Sequence, residues 1–204
     1  MLATIGVAAG AFAQGKVTLI NDNSHLLKYS SNPAELRPSD AAKAGTSVAS
    51  PSSPNNTWMM ELWANTSATA TEGQLVLLAG SALPAGSVTA GRINGQAFTL
   101  PTGYTGGPAA TPVPASFQIR LWEKTAANYS SYSAALASGL AYTAKTPVFT
   151  MNPGPASANS MVSAASPSFS TWAAGDIVAI VPEPATASIV GLGLASLLIF
   201  RRRK

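Results

Sequence analysis

The chain has 204 residues, enough for one domain with extensions, and only 10% of them are charged, far below the usual quarter. Its net charge of +4 is matched by Arg201, Arg202, Arg203 and Lys204 alone, which leaves 8 basic residues against 8 acidic ones; the pI near 9.6 belongs to that tail, and no basic stripe remains to bind nucleic acid. There is no cysteine, which excludes disulfides, Cys-ligated zinc and thiol nucleophiles.

Residues 1–13 (MLATIGVAAGAFA) are apolar or small and end in Ala11-Phe12-Ala13, an A-x-A site. This is the apolar region and cleavage site of a secretory signal peptide, with the cut expected after Ala13 and Gln14 as the first mature residue. The positively charged region that opens such a peptide is missing, as a start placed too far downstream or a trimmed sequence would leave it.

The body then runs from 14 to 181. Residues 17–20 and 26–29 are predicted strands flanking a turn at Asn21-Asp22-Asn23-Ser24. Residues 31–56 hold Pro33, Pro38, Pro51 and Pro54 and read as a long loop with one helical turn capped by Ser39. Strands follow at 57–64 (TWMMELWA), 74–79 (QLVLLA), 87–93 and 96–100, the last two joined by a hairpin turn at Asn94-Gly95. After a Gly/Pro-rich loop at 104–114, residues 116–124 (SFQIRLWEK) alternate, with Phe117, Ile119 and Leu121 on one face and Gln118, Arg120 and Trp122 on the other. Residues 129–138, ended by Gly139, are the one predicted helix of the body; 146–151 and 176–181 complete the strands. The set predicts a mainly β fold, an antiparallel β-sandwich or jelly-roll-like domain with long loops and one short helix. Glu61-Leu62-Trp63 and Arg120-Leu121-Trp122 echo each other, and pairing of their strands would set Glu61 against Arg120 with both tryptophans alongside.

Beyond the body, residues 182–204 begin Pro182-Glu183-Pro184. Residues 185–200 are 16 uncharged, mostly apolar positions, roughly 24 Å as a helix, and the four cations follow directly. An apolar segment closed by a cationic cluster is a stop-transfer signal whose basic end stays in the cytoplasm, leaving the body outside. Snorkelling arginines and local thinning make up the short length. Ala187, Gly191 and Ala195 form a weak small-xxx-small row. Gly191-Leu192-Gly193 lies inside the span with no strand before it, so it is no dinucleotide loop.

Val181-Pro182-Glu183-Pro184-Ala185-Thr186, the apolar helix and the arginine cluster, in that order, closely resemble the PEP-CTERM sorting signal. The resemblance covers about 24 residues. It implies export by a Gram-negative bacterium, transient anchoring in the inner membrane, and processing near Pro182-Glu183-Pro184 by an exosortase. It also implies delivery to the cell surface or to an exopolysaccharide or biofilm matrix. The run 117–139 (FQIRLWEKTAANYSSYSAALASG) is similar to a segment of PEP-CTERM proteins of Verrucomicrobia-like bacteria, carried by Gln118, Arg120, Trp122, Tyr132, Ala134, Ala135 and Leu136; no activity comes with it. Leu100-Pro101-Thr102-Gly103 lacks the fifth residue of the Gram-positive sortase signal, and no span follows it.

Catalytic signals are sparse. His25 is the only histidine, without a G-x-S-x-G elbow, and reads as a solvated or hydrogen-bonded loop residue. No calcium loop, P-loop or histidine metal site is present, and no cofactor or metal is expected. Of the body's acids, Glu61 and Glu123 lie by aromatic residues, and with Asp176 they are the carboxylates a periplasmic hydrolase would need. Trp63 and Trp122 offer flat rings for sugar stacking, the basis of a carbohydrate-binding reading, against ordinary core packing. Sequons at Asn55, Asn65 and Asn128 are chance in an Asn/Ser/Thr-rich chain. The leading expectation is a non-enzymatic exported protein with a structural or adhesive role.

Overall fold

Residues 57–65 and 115–124 pair antiparallel over nine positions, from Thr57 opposite Lys124 to Asn65 opposite Ser116, and this ladder is the spine of the fold. The computed structural model describes residues 14–48, 57–85, 89–93, 96–104, 113–124, 129–154, 157–161 and 177–181. The strands are β1 (Lys16–Leu19), β2 (Leu27–Tyr29), β3 (Thr57–Asn65), β4 (Val76–Leu77), β5 (Leu83–Pro84), β6 (Gln96–Thr99), β7 (Ala115–Lys124), β8 (Thr143–Lys145), β9 (Phe149–Met151), β10 (Asn159–Ser160) and β11 (Ile177–Ala179), with one helix, α1 (Tyr132–Ser138), among the described residues. The protein is mainly β.

In the largest sheet β4, β3, β7 and β8 lie side by side, with β5 also on β3 and β9 also on β7. A second sheet has the order β10-β1-β6, and β2 pairs with β11. Thr143 of β8 exchanges two hydrogen bonds with Ile180 just past β11, which stitches the β2–β11 pair to the edge of the large sheet. Six of the eight strand pairings are antiparallel; β1 with β10 and β2 with β11 are parallel, which departs from the all-antiparallel expectation. The larger core draws Val17 and Leu19 from β1, Leu27 and Tyr29 from β2, Met60 and Leu62 from β3, Phe117, Ile119 and Leu121 from β7, and Ile177 and Ala179 from β11. Period-2 alternation supplies each of these inward sets.

Several local expectations change. Residues 89–93 are a turn, not a strand: buried Asn21 donates to the Gly91 carbonyl at 2.7 Å and accepts from Ile93 N at 2.6 Å, taking the place of a strand partner. Gly91 sits at φ +71°, a conformation that favours glycine. β6 pairs with β1 instead, and Asn94-Gly95 lies outside the described residues. The predicted strand 146–151 breaks at Pro147, which has no N–H to offer. There Thr146 Oγ1 accepts from Ile119 N at 3.0 Å, filling the gap in the ladder. The helical turn expected after Ser39 is a pair of 3-10 turns, Pro33–Glu35 and Pro38–Lys43; Asn32 caps the first through its side chain, and Ser39 lies inside the second. The run 74–79 contributes only the two-residue β4, after a 3-10 turn at Glu72–Gln74. The predicted helix 129–138 is realised as α1, capped by Ser131, whose side chain accepts from Ala134 N, and ended by Gly139 at φ +62°.

Candidate functional site

The outer face of the β3–β7 ladder carries the polar and aromatic residues that the two echoing tripeptides bring together. Register sets Glu61 opposite Arg120, Trp63 opposite Gln118 and Met59 opposite Trp122, so both tryptophans share one face. The Arg120 guanidinium lies 3.7 Å from the centroid of the Trp63 ring and donates to Gln118 Oε1 at 2.8 Å. Trp63 Nε1 donates to Glu61 Oε1 at 2.8 Å, and Glu61 is buried. Beyond Arg120, Glu72 accepts from Lys145 at 2.7 and 2.9 Å and lies 3.6 Å from Arg120. The Lys145 hydrogen bond, with the charges of Lys145 and Arg120, holds the Glu72 carboxyl below its usual range against the opposing effect of burial. Both cations meet Glu72, and with Glu61 opposite Arg120 in the register the patch holds two basic and two acidic residues.

Next to this patch a groove of about 690 Å³ opens between α1, β8 and the end of β11. Gln118, Thr143 and Thr146 are among its polar lining, Leu136 and Val178 among its apolar lining, and Glu72 and Lys145 border it as exposed residues. Its size and mainly apolar lining surface are those of small-molecule sites, but it is open to solvent.

Trp122 sits apart from this groove. It is fully buried with Tyr132, Ala135 and Ala141, and Met59 and Tyr129 pack on that cluster. Its Nε1 donates to the Tyr129 carbonyl at 3.0 Å. The helix that covers it leaves neither ring face for a sugar. Trp63 is half-buried, with Arg120 stacked on its ring. The sequence-predicted stacking pair thus shares a face of the sheet, but only Trp63 reaches its surface.

The carboxylates are divided as well. Along a strand successive side chains point to opposite faces. Glu123 follows the inward Phe117, Ile119 and Leu121 of β7, whereas Glu61 lies on the outer face with Trp63. Glu123 receives a two-pronged ion pair from Arg37, which also donates to the Leu140 carbonyl at 2.9 and 3.2 Å and stacks 4.5 Å from the Tyr142 ring. Tyr142 donates to Asp40 at 2.9 Å, and Lys43 does so at 2.7 Å. Burial raises the Asp40 carboxyl, but these hydrogen bonds outweigh it and the net shift is downward. Burial, with the hydrogen bond to Asp40, raises the Tyr142 phenol. Glu61 and Glu123 form no facing pair, and Asp176 lies outside the described residues.

His25 is buried, with Nδ1 2.6 Å from Asp22 Oδ1, inside a turn closed by Asp22 accepting from Ser24 N at 2.8 Å. Among the described residues no three His, Asp or Glu side chains are grouped as a metal would require. Of the export and sorting residues, Gln14 is exposed and Val181 is half-buried, its N–H donating to the Glu35 carbonyl at 2.9 Å. Ala11, Ala13, Pro182, Glu183, Pro184, Ala185, Thr186, Arg201, Arg202, Arg203 and Lys204 lie outside the described residues. No helix among the described residues is long and apolar enough to cross a membrane.

Sequence reasoning passed over Arg37, Glu72, Tyr142 and Lys145. Arg37 and Glu123 are 86 positions apart and Glu72 and Lys145 are 73 apart, too far for any local pattern to relate them. The one local signal is Thr71-x-x-Gln74, a capping-box spacing in which Gln74 Oε1 accepts from Thr71 N at 2.9 Å and fixes the turn that carries Glu72. No family model, curated protein or solved structure matches this chain.

Proposed function

We propose that this is an exported PEP-CTERM protein, processed at Pro182-Glu183-Pro184 by an exosortase and delivered to the cell surface or the exopolysaccharide matrix, where its β-rich body is structural or adhesive. The observation that carries the reading is the order of Pro-Glu-Pro, 16 uncharged residues and four cations at 182–204. The apolar segment gives transient retention in the inner membrane, and Arg201, Arg202, Arg203 and Lys204 set its topology. The body's layout supports the division of the chain. Gly15 N donates to Tyr104 O and Val181 N to Glu35 O, so cuts after Ala13 and at the Pro-Glu-Pro motif would leave the hydrogen-bonded body whole. A core shared by several sheets supports the sandwich-like reading of that body. The carbohydrate-binding alternative keeps only Trp63 of its two rings.

The test is intact mass of the mature protein from a host that carries an exosortase. A species lacking residues 201–204 is expected, and replacing Pro182, Glu183 and Pro184 together with alanine should retain the tail. Recovery of the unaltered protein with Arg201–Lys204 still attached would overturn the processing claim.

A further inference from the structure

Val181 is held to the body by its own N–H, and Ile180 before it is bonded twice to Thr143. If residues 185–200 cross a membrane, as the reading above requires, only three residues, 182–184, separate Val181 from the start of the span, four residue-to-residue steps in all. Fully extended they reach at most roughly 14 Å. A body of 168 residues (14–181) has a radius of gyration of roughly 15 Å. The tether is shorter than that, so the body cannot turn freely: the face holding Val181 stays toward the bilayer.

That face gathers exposed apolar side chains beside its ion pairs. Six large apolar side chains are exposed among the described residues, and three belong here: Val178 (46%), Leu136 (43%) and Leu140 (64%). Val178 and Leu136 line the groove together with Ile180, the neighbour of Val181. The Leu140 carbonyl is held by Arg37, two positions from the Glu35 that holds Val181. Of the cations here, Arg37 is engaged by Glu123 and Lys145 by Glu72, and Lys28, opposite Val178, is half-buried.

We propose that, before processing, this face rests on the lipid surface, with Leu136, Leu140 and Val178 among the headgroups. Three side chains make a weak contact by themselves. The short tether supplies the rest, by an effective concentration on the order of millimolar.

The absence of cysteine makes the test clean. Single-cysteine variants of the full chain, Leu136→Cys, Leu140→Cys and Val178→Cys, are labelled with an environment-sensitive fluorophore and reconstituted without exosortase into phosphatidylcholine/phosphatidylglycerol vesicles containing brominated lipid. Ala97→Cys, exposed on β6, is the aqueous control, and Leu197→Cys reports on the span. Quenching at 136, 140 and 178 should exceed that at 97 by about twofold or more, as for groups at the headgroup boundary. Quenching at 197 with 136, 140 and 178 equal to 97 would overturn the docking while leaving the span intact. No quenching at 197 would overturn both. Blue-shifted but unquenched emission at 136, 140 and 178 would mean that a second copy of the protein covers them, and would overturn the lipid assignment.

Discussion

Replacing Trp122 with alanine removes the centre of the packing between α1 and the outer face of β7. The ring is fully buried among Tyr132, Ala135 and Ala141, and its N–H is satisfied by Tyr129 O at 3.0 Å. A buried Trp withdraws about 200 Å² from water, which at ~25 cal/mol/Å² is about 5 kcal/mol, and alanine regains a small part of it. Measured Trp-to-Ala changes in cores cost about 3–5 kcal/mol, in agreement. With a urea dependence of about 2 kcal/mol per molar, the unfolding midpoint should fall by roughly 2 M. Trp122→Phe keeps most of the buried area and loses only the bond to Tyr129, and should cost about 1 kcal/mol beyond the lost volume. The assay is urea unfolding of the body followed by far-ultraviolet circular dichroism. If Trp122→Ala unfolds within about 1 kcal/mol of the parent, the ring is not structural packing, and its burial beneath α1 cannot be used against a sugar-stacking role.

Three further outcomes are expected. A Cβ added at Gly15 would overlap the Tyr104 carbonyl oxygen and sit 2.7 Å from Pro153 Cβ, so Gly15→Ala should cost about 2 kcal/mol and lower Tm by roughly 4–8 °C in a thermal melt. Asp40 has its carboxyl lowered in the fold, so it contributes stability above its unfolded value near 3.9 that is lost as pH falls through the folded one. The urea midpoint should therefore hold steady from about pH 7 to 5 and drop below about pH 4, and Asp40→Asn should flatten that acid limb. Arg120→Lys gives up the planar stack on Trp63 and the fixed geometry toward Gln118, and should cost about 1–2 kcal/mol in the same unfolding assay.

The reach of sequence reasoning was uneven for identifiable reasons. The strand at 116–124 is legible in its alternation and that at 57–64 as an apolar run between turn signals, and the Glu61–Arg120 pairing suggested by the echoing tripeptides is the register found. The hairpin placed at 87–100 was not there, since the turn signal at Asn94-Gly95 says nothing about which strand β6 will meet; β1, some eighty residues earlier, took that place. The break at Pro147 is visible in sequence as a proline, but its repair by the Thr146 hydroxyl depends on Ile119 lying opposite. The parallel pairs β1–β10 and β2–β11 join segments far apart in the chain, and no local pattern announces a parallel partner.

The sequence alone determined the mainly β character, the lack of thiol chemistry, the neutrality of the body and the ordered motif at 182–204, because each is a matter of composition, period or contiguous order. Tertiary structure alone decided that Trp122 is fully buried while Trp63 is half-buried under Arg120, that Glu61 and Glu123 lie on opposite faces, and that Arg37 meets Glu123 across 86 positions. Those facts depend on which distant segments pack together, and a side chain's exposure and partners are properties of that packing, not of the residue.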